Sequence, residues 1–76
     1  MGIEVVIASP PYREKLVAQL QLVVGNEAYI WAEVDQDGPR LRVAFWESGE
    51  NTEAWDLDYE EVLAALLEAK LRLGFD

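Results

Sequence analysis

Few residues in this 76-residue chain have the types that covalent chemistry needs. His and Cys are absent, and the alcohols of nucleophilic type are Ser9, Ser48 and Thr52. A serine or threonine nucleophile requires an adjacent base and a turn that exposes it, and none of the three has either in its local sequence. Carboxylates are plentiful. Asp56 with Asp58, and Glu50 with Glu53, are spaced as pairs that could share a proton. Such pairs work as acid and base only where a cleft desolvates them, and these lie in a polar run and at a helix start. Asp35-Gln36-Asp37-Gly38 has the outline of a calcium loop, but Pro39 occupies the third ligand position and the glycine comes two residues early. It is read as a turn. The expectation is no enzyme, no catalytic residue, no cofactor and no metal.

Binding chemistry is better represented. The formal charge is −9, of which residues 1–46 carry −2 and residues 62–76 carry none. The rest falls on Glu47, Glu50, Glu53, Asp56, Asp58, Glu60 and Glu61, a run without one Lys or Arg. Asp58, Glu60 and Glu61 suit the positive end of a helix dipole. Glu47, Glu50, Glu53 and Asp56 have no such explanation; they read as a solvated loop or as a surface for a basic protein. The same charge repels nucleic acid, so no nucleic-acid partner is expected.

The elements that position these groups can be read from periodicity. Asp58 to Leu73 is predicted as an amphipathic helix with Asp58 as N-cap, Glu61 completing a capping box, Leu57 and Val62 as a hydrophobic staple, and Gly74 in the left-handed C′ position followed by Phe75. Its apolar stripe is Tyr59, Val62, Leu63, Leu66, Ala69 and Leu73. Leu67 and Leu71 widen it on one flank, read as the edge of the core with a contact surface as the alternative. Ile3 to Ala8, Leu16 to Val24, Ala28 to Val34 and Leu41 to Trp46 show strand alternation, and Trp55 with Leu57 marks a short fifth strand or an extended lead into the helix. A three-residue loop, Gly25 to Glu27, opposes Leu22 to Ile30, Leu20 to Ala32 and Ala18 to Val34, which keeps one apolar face. Beyond a turn near Asp37-Gly38, expected to be wider than two residues because Pro39 lacks an N–H, Val34 opposes Leu41, Ala32 opposes Val43 and Ile30 opposes Phe45. That register also sets Glu33 across from Arg42 and Asp35 across from Arg40.

The expected architecture is α+β: an antiparallel β-meander of four to five strands with one C-terminal α-helix packed on one face, in a single domain over residues 1–76. On the other face these registers gather Tyr29, Trp31 and Trp46 with Val23 at one end. Such rings either stabilise cross-strand pairs or form a binding patch. With no cysteine, no spanning segment and no signal peptide, the default location is cytoplasmic and no membrane is expected. Val6 stands where a myristoylation signal after Met1-Gly2 would need Ser or Thr.

Three stretches resemble a set of small acidic, largely uncharacterised bacterial proteins, some of which are similar to immunity proteins of polymorphic toxins. They are the run from Ile7-Ala8-Ser9-Pro10-Pro11-Tyr12-Arg13 to Ala18, the strand Trp31-Ala32-Glu33-Val34, and the ending from Trp55 to Leu73 with its Asp58-Tyr59-Glu60-Glu61 start. The hairpin from Gln19 to Ile30 is longer here than in those proteins. The resemblance implies the fold and carries over no functional residue. It points to a small acidic protein-binding module, an immunity or antitoxin-type inhibitor that neutralises a basic toxin, such as a nuclease, by direct binding. In that reading Glu47, Glu50, Glu53 and Asp56 steer the partner while Tyr29, Trp31 and Trp46 anchor it. The alternative is a homo-oligomeric structural or adaptor domain, a homodimer in its simplest form.

Overall fold

The computed structural model describes residues 2–46 and 56–75. Four strands, β1 (Gly2–Ala8), β2 (Val17–Val24), β3 (Glu27–Asp37) and β4 (Arg40–Phe45), form one antiparallel sheet in the order β1-β2-β3-β4, and α1 (Tyr59–Arg72) packs on one face of it. This is the α+β meander that the alternation predicts. Leu57 lies outside any strand and packs at the margin of the core. Trp55, its expected strand partner, lies outside the described residues. No helix among the described residues is long and apolar enough to cross a membrane.

The helix forms between the signals written for it. The Asp58 carboxylate accepts the Glu61 N–H at 3.0 Å, and Leu57 and Val62 both pack against the core. At the other end Gly74 takes φ 87°. Its N–H donates to the Leu71 carbonyl and the Phe75 N–H to the Lys70 carbonyl, each at 3.0 Å, the paired bonds of a Schellman motif. Packing rotates the helix from the predicted stripe. Ala65 and Ala69 are its buried residues, with Val62, Leu66 and Leu73 beside them, whereas Tyr59 and Leu63 are exposed. On a helix of 3.6 residues per turn that is a shift of roughly 40°. Two alanines bring the helix axis closer to the sheet than a leucine row would, and the bulkier Leu63 is displaced outward.

Both ends of the β2–β3 hairpin obey a rule, and the rules conflict. Ala18 opposes Val34 and Leu20 opposes Ala32, as an apolar face demands. Nearer the turn, however, Leu22 opposes Tyr29, Gln21 opposes Ile30 and Val24 opposes Glu27, the register of a two-residue loop at Gly25-Asn26. This corrects the three-residue loop. Gly25 has φ 60°, and no other kind of residue among those described has positive φ, so the loop is a type II′ turn matched to strand twist. The one-residue discrepancy is absorbed at Trp31, the unpaired residue of a β-bulge between Ile30 and Ala32.

The β3–β4 register is also corrected, by two residues: Val34 opposes Val43, Ala32 opposes Phe45, and Asp37 pairs with Arg40. A slip of two preserves faces, which is why the apolar pattern could not detect it. The turn is tight after all. The closing N–H belongs to Arg40, so Pro39 costs nothing at the second central position, and Gly38 supplies φ 60° at the first. Arg42 consequently lies across from Asp35 and Arg40 across from Asp37, with Ala44 opposite Glu33.

Candidate protein-binding surface

The bulge dismantles the aromatic cluster expected on the face away from α1. Trp31 is 2% exposed and belongs to the buried cluster of Ala18, Leu20, Ala32, Val34, Ala65 and Ala69. Its ring stacks against Phe45 at 6.4 Å between centroids, while its Nε1 is buried without an acceptor. Tyr29 now shares the side of Leu22; it is half exposed and donates its hydroxyl hydrogen bond to the Glu27 carboxylate. Trp46 lies past the end of β4, partly exposed, its N–H donating to the Trp31 carbonyl at 2.9 Å. The three rings therefore do not form one patch. Of the acidic residues, Glu47, Glu50 and Glu53 lie outside the described residues and Asp56 is exposed.

That second face is not bare either. The β1–β2 connection turns at Pro10-Pro11, where the Arg13 N–H donates to the Pro10 carbonyl at 3.1 Å, and lays Tyr12 and Arg13 over β3. The Tyr12 hydroxyl donates to Glu33 Oε2 at 2.7 Å and Arg13 Nε donates to Oε1 at 3.0 Å. A further Arg13 nitrogen meets Asp35 Oδ2 at 3.1 Å. Glu33 is thereby buried to 1% exposure with both oxygens engaged. A carboxylate expected to face Arg42 from a solvated sheet is instead held from above by Arg13. The hydrogen bond to Glu33, then desolvation and the nearby negative charge, push the Tyr12 phenol up from its ordinary value, and the same carboxylate holds the Arg13 guanidinium more firmly protonated. Beside this clamp lies an open cleft of about 350 Å³ lined by Lys15, Asp35, Gln36 and Asp37 among others. Its lining carries charges of both signs and includes no Ser, Thr, Cys or His.

The longest row of exposed apolar side chains lies on the helix side. Tyr59, Leu63, Leu67 and Leu71 recur every four residues and form one ridge along α1, with exposures of 70%, 45%, 57% and 55%. This decides the flank containing Leu67 and Leu71: it is surface and not core edge. The ridge has a direction. Arg72 Nη1 donates to the Val5 carbonyl on β1 at 2.6 Å and meets Glu68 at 3.2 Å, so the Glu68–Arg72 flank of the helix faces the β1 edge. Tyr59 and Leu63 lie across the Ala65–Ala69 contact line from that flank and look over the other half of the sheet. There, Val43 and Phe45 share the face of Val34 and Ala32 and are exposed, because α1 packs chiefly on β1 and more lightly on β2 and β3. The N-terminal end of the ridge is acidic: Asp56, Asp58, Glu60 and Glu61 are all exposed. Periodicity named every ridge residue but assigned Tyr59 and Leu63 to the core. The two alanines were the signal that could have set the helix phase.

Comparison of the chain with family models, curated proteins and solved structures returned no match.

Proposed function

We propose that this chain is a small acidic protein-binding module, an immunity or antitoxin-type inhibitor that neutralises a basic toxin, such as a nuclease, by occupying its surface. The observation that carries the reading is the helix-side ridge: an exposed apolar row, Tyr59, Leu63, Leu67 and Leu71, ending in the four carboxylates of Asp56 to Glu61. An exposed apolar strip of this length marks a contact surface, and a charged end sets which partner approaches and in what orientation. With −9 on the whole chain, a cationic partner is drawn in at a rate that falls with salt. The leucines then exclude water beneath it. The resemblance to immunity proteins supports the same role.

The test is capture from the native host at low and high salt with three baits: the natural chain, Leu63→Ser with Leu67→Ser, and Asp56→Lys with Glu60→Lys. One basic protein is expected in equal amount with the natural chain, released by salt, and bound at least tenfold less by either variant. Titrating that protein's own activity with the natural chain should reach complete inhibition at one to one. Capture that is indifferent to the charge reversals, or a partner whose activity is unaffected, would sink the proposal.

A further inference from the structure

The two edges of the sheet are finished differently. β1 is guarded: α1 lies over it, and the Arg72 guanidinium takes the outward carbonyl of Val5. Among the described residues β4 has no such guard. It contains no proline and no bulge, and its charged residues, Arg40 and Arg42, lie on the face away from α1, opposite Asp37 and Asp35. Asp35 is drawn to Arg13, so among the described residues neither Arg40 nor Arg42 has an ion pair. In an antiparallel ladder the inward-bonded positions alternate. Arg40 closes the turn with Asp37 and Trp46 donates to Trp31, so Arg40, Arg42, Ala44 and Trp46 bond inward. Leu41, Val43 and Phe45 therefore aim their N–H and C=O groups at the open edge.

We propose that β4 pairs with β4 of a second copy, joining two sheets into one of eight strands about a two-fold axis at Val43. Bonding direction, charge and the length of strand paired together select one register. Outward-bonding residues must oppose outward-bonding residues, which removes every register that mixes faces. Setting Arg42 against the second copy's Arg42 is removed by like charge. Centring on Val43 uses the strand from Leu41 to Phe45: Val43 opposes Val43, Leu41 opposes Phe45, and Arg42 opposes Ala44. Phe45, 72% exposed although it stacks on buried Trp31, gains an apolar neighbour in Leu41. Charge points to the same place. Two acidic chains repel, but β4 carries two arginines and no acid, so their approach is least opposed there. One open edge per chain closes at two copies and leaves the ridge of α1 free.

Sedimentation of the full chain tests this, with a mass of twice 8.6 kDa expected. Val43→Pro removes an outward N–H without touching the β3 ladder, and should sediment as one chain while keeping its circular dichroism. Val43→Cys, the sole cysteine in its chain, should form a covalent dimer in air, since hydrogen-bonded strand partners stand about 5.5 Å apart between Cα atoms, within disulfide range. Glu4→Cys on the guarded edge should not, and Leu63→Ser with Leu67→Ser should keep the doubled mass. A natural chain that sediments singly overturns the proposal, as does a Val43→Pro protein that stays dimeric or a ridge variant that becomes single. If Val43→Pro fails to fold, equal oxidation of the two cysteine variants overturns it instead.

Discussion

Arg13 and Tyr12 show how a polar loop can become part of a fold. Neither has a periodic position, yet together they satisfy both oxygens of a carboxylate that the sheet buries. Removing Arg13 leaves Glu33 with a buried charge and half its partners, so Arg13→Met should destabilise the protein more than Glu33→Gln does, as measured by urea denaturation. Tyr12 titrates in a direction that can be checked. Its pKa is raised in the folded state, so its contribution is intact below the ordinary value of 10.0 and disappears as pH rises through the folded value. Tyr12→Phe should therefore flatten the alkaline loss of stability. Trp31 carries an opposed pair of terms, a large buried ring and an N–H without an acceptor. Trp31→Ala should cost about 3–5 kcal/mol through the cavity it leaves. Trp31→Phe should stay within about 1 kcal/mol of the natural chain, because losing the orphan donor offsets the smaller ring. Thermal and urea denaturation distinguish the two outcomes.

At the scale of elements, what was legible is what is local. The helix announces itself through Asp58, Glu61 and Gly74, each acting on backbone within a turn of itself. Asp58→Ala should cost about 1 kcal/mol in denaturation experiments, and Gly74→Ala about 1–2 kcal/mol because φ there is 87°. Leu67→Ser with Leu71→Ser, at exposed positions, should change stability by less than about 0.5 kcal/mol per site. Registers were less legible because alternation has period two. It fixed which face Val34 and Val43 share and was blind to a slip of two between β3 and β4. Between β2 and β3 it demanded one uniform pairing, and the molecule kept both the tight turn and the apolar face by bulging at Trp31. The expected aromatic cluster was undone by two departures: the bulge that buries Trp31, and the slip of two between β3 and β4 that takes Trp46 away from Tyr29. The helix-side ridge was present in the pattern as the surplus of Leu67 and Leu71. Its extent was hidden by assuming that the bulkiest stripe is the buried one, when Ala65 and Ala69 set the phase.

For the whole molecule, the order of closure matters. Each strand meets its sequence neighbour, so the sheet assembles through short loops, but Arg72 reaches back over 67 residues to Val5. The pair it forms with Glu68 is exposed and contributes little to stability. Arg72→Ala should accordingly leave the melting temperature within about 2 °C, yet dynamic light scattering should show species that keep growing with concentration, because the β1 edge is then open in addition to the edge proposed to pair at β4. The same dependence operates during synthesis. A ribosome delivers β1 well before the guanidinium that guards it, so the nascent meander has an interval in which either edge can capture a neighbouring chain on the same messenger. A codon or truncation that delays or removes the last turn of α1 would lengthen that interval. The yield of folded protein would then depend on when a guanidinium arrives whose own ion pair contributes little to stability.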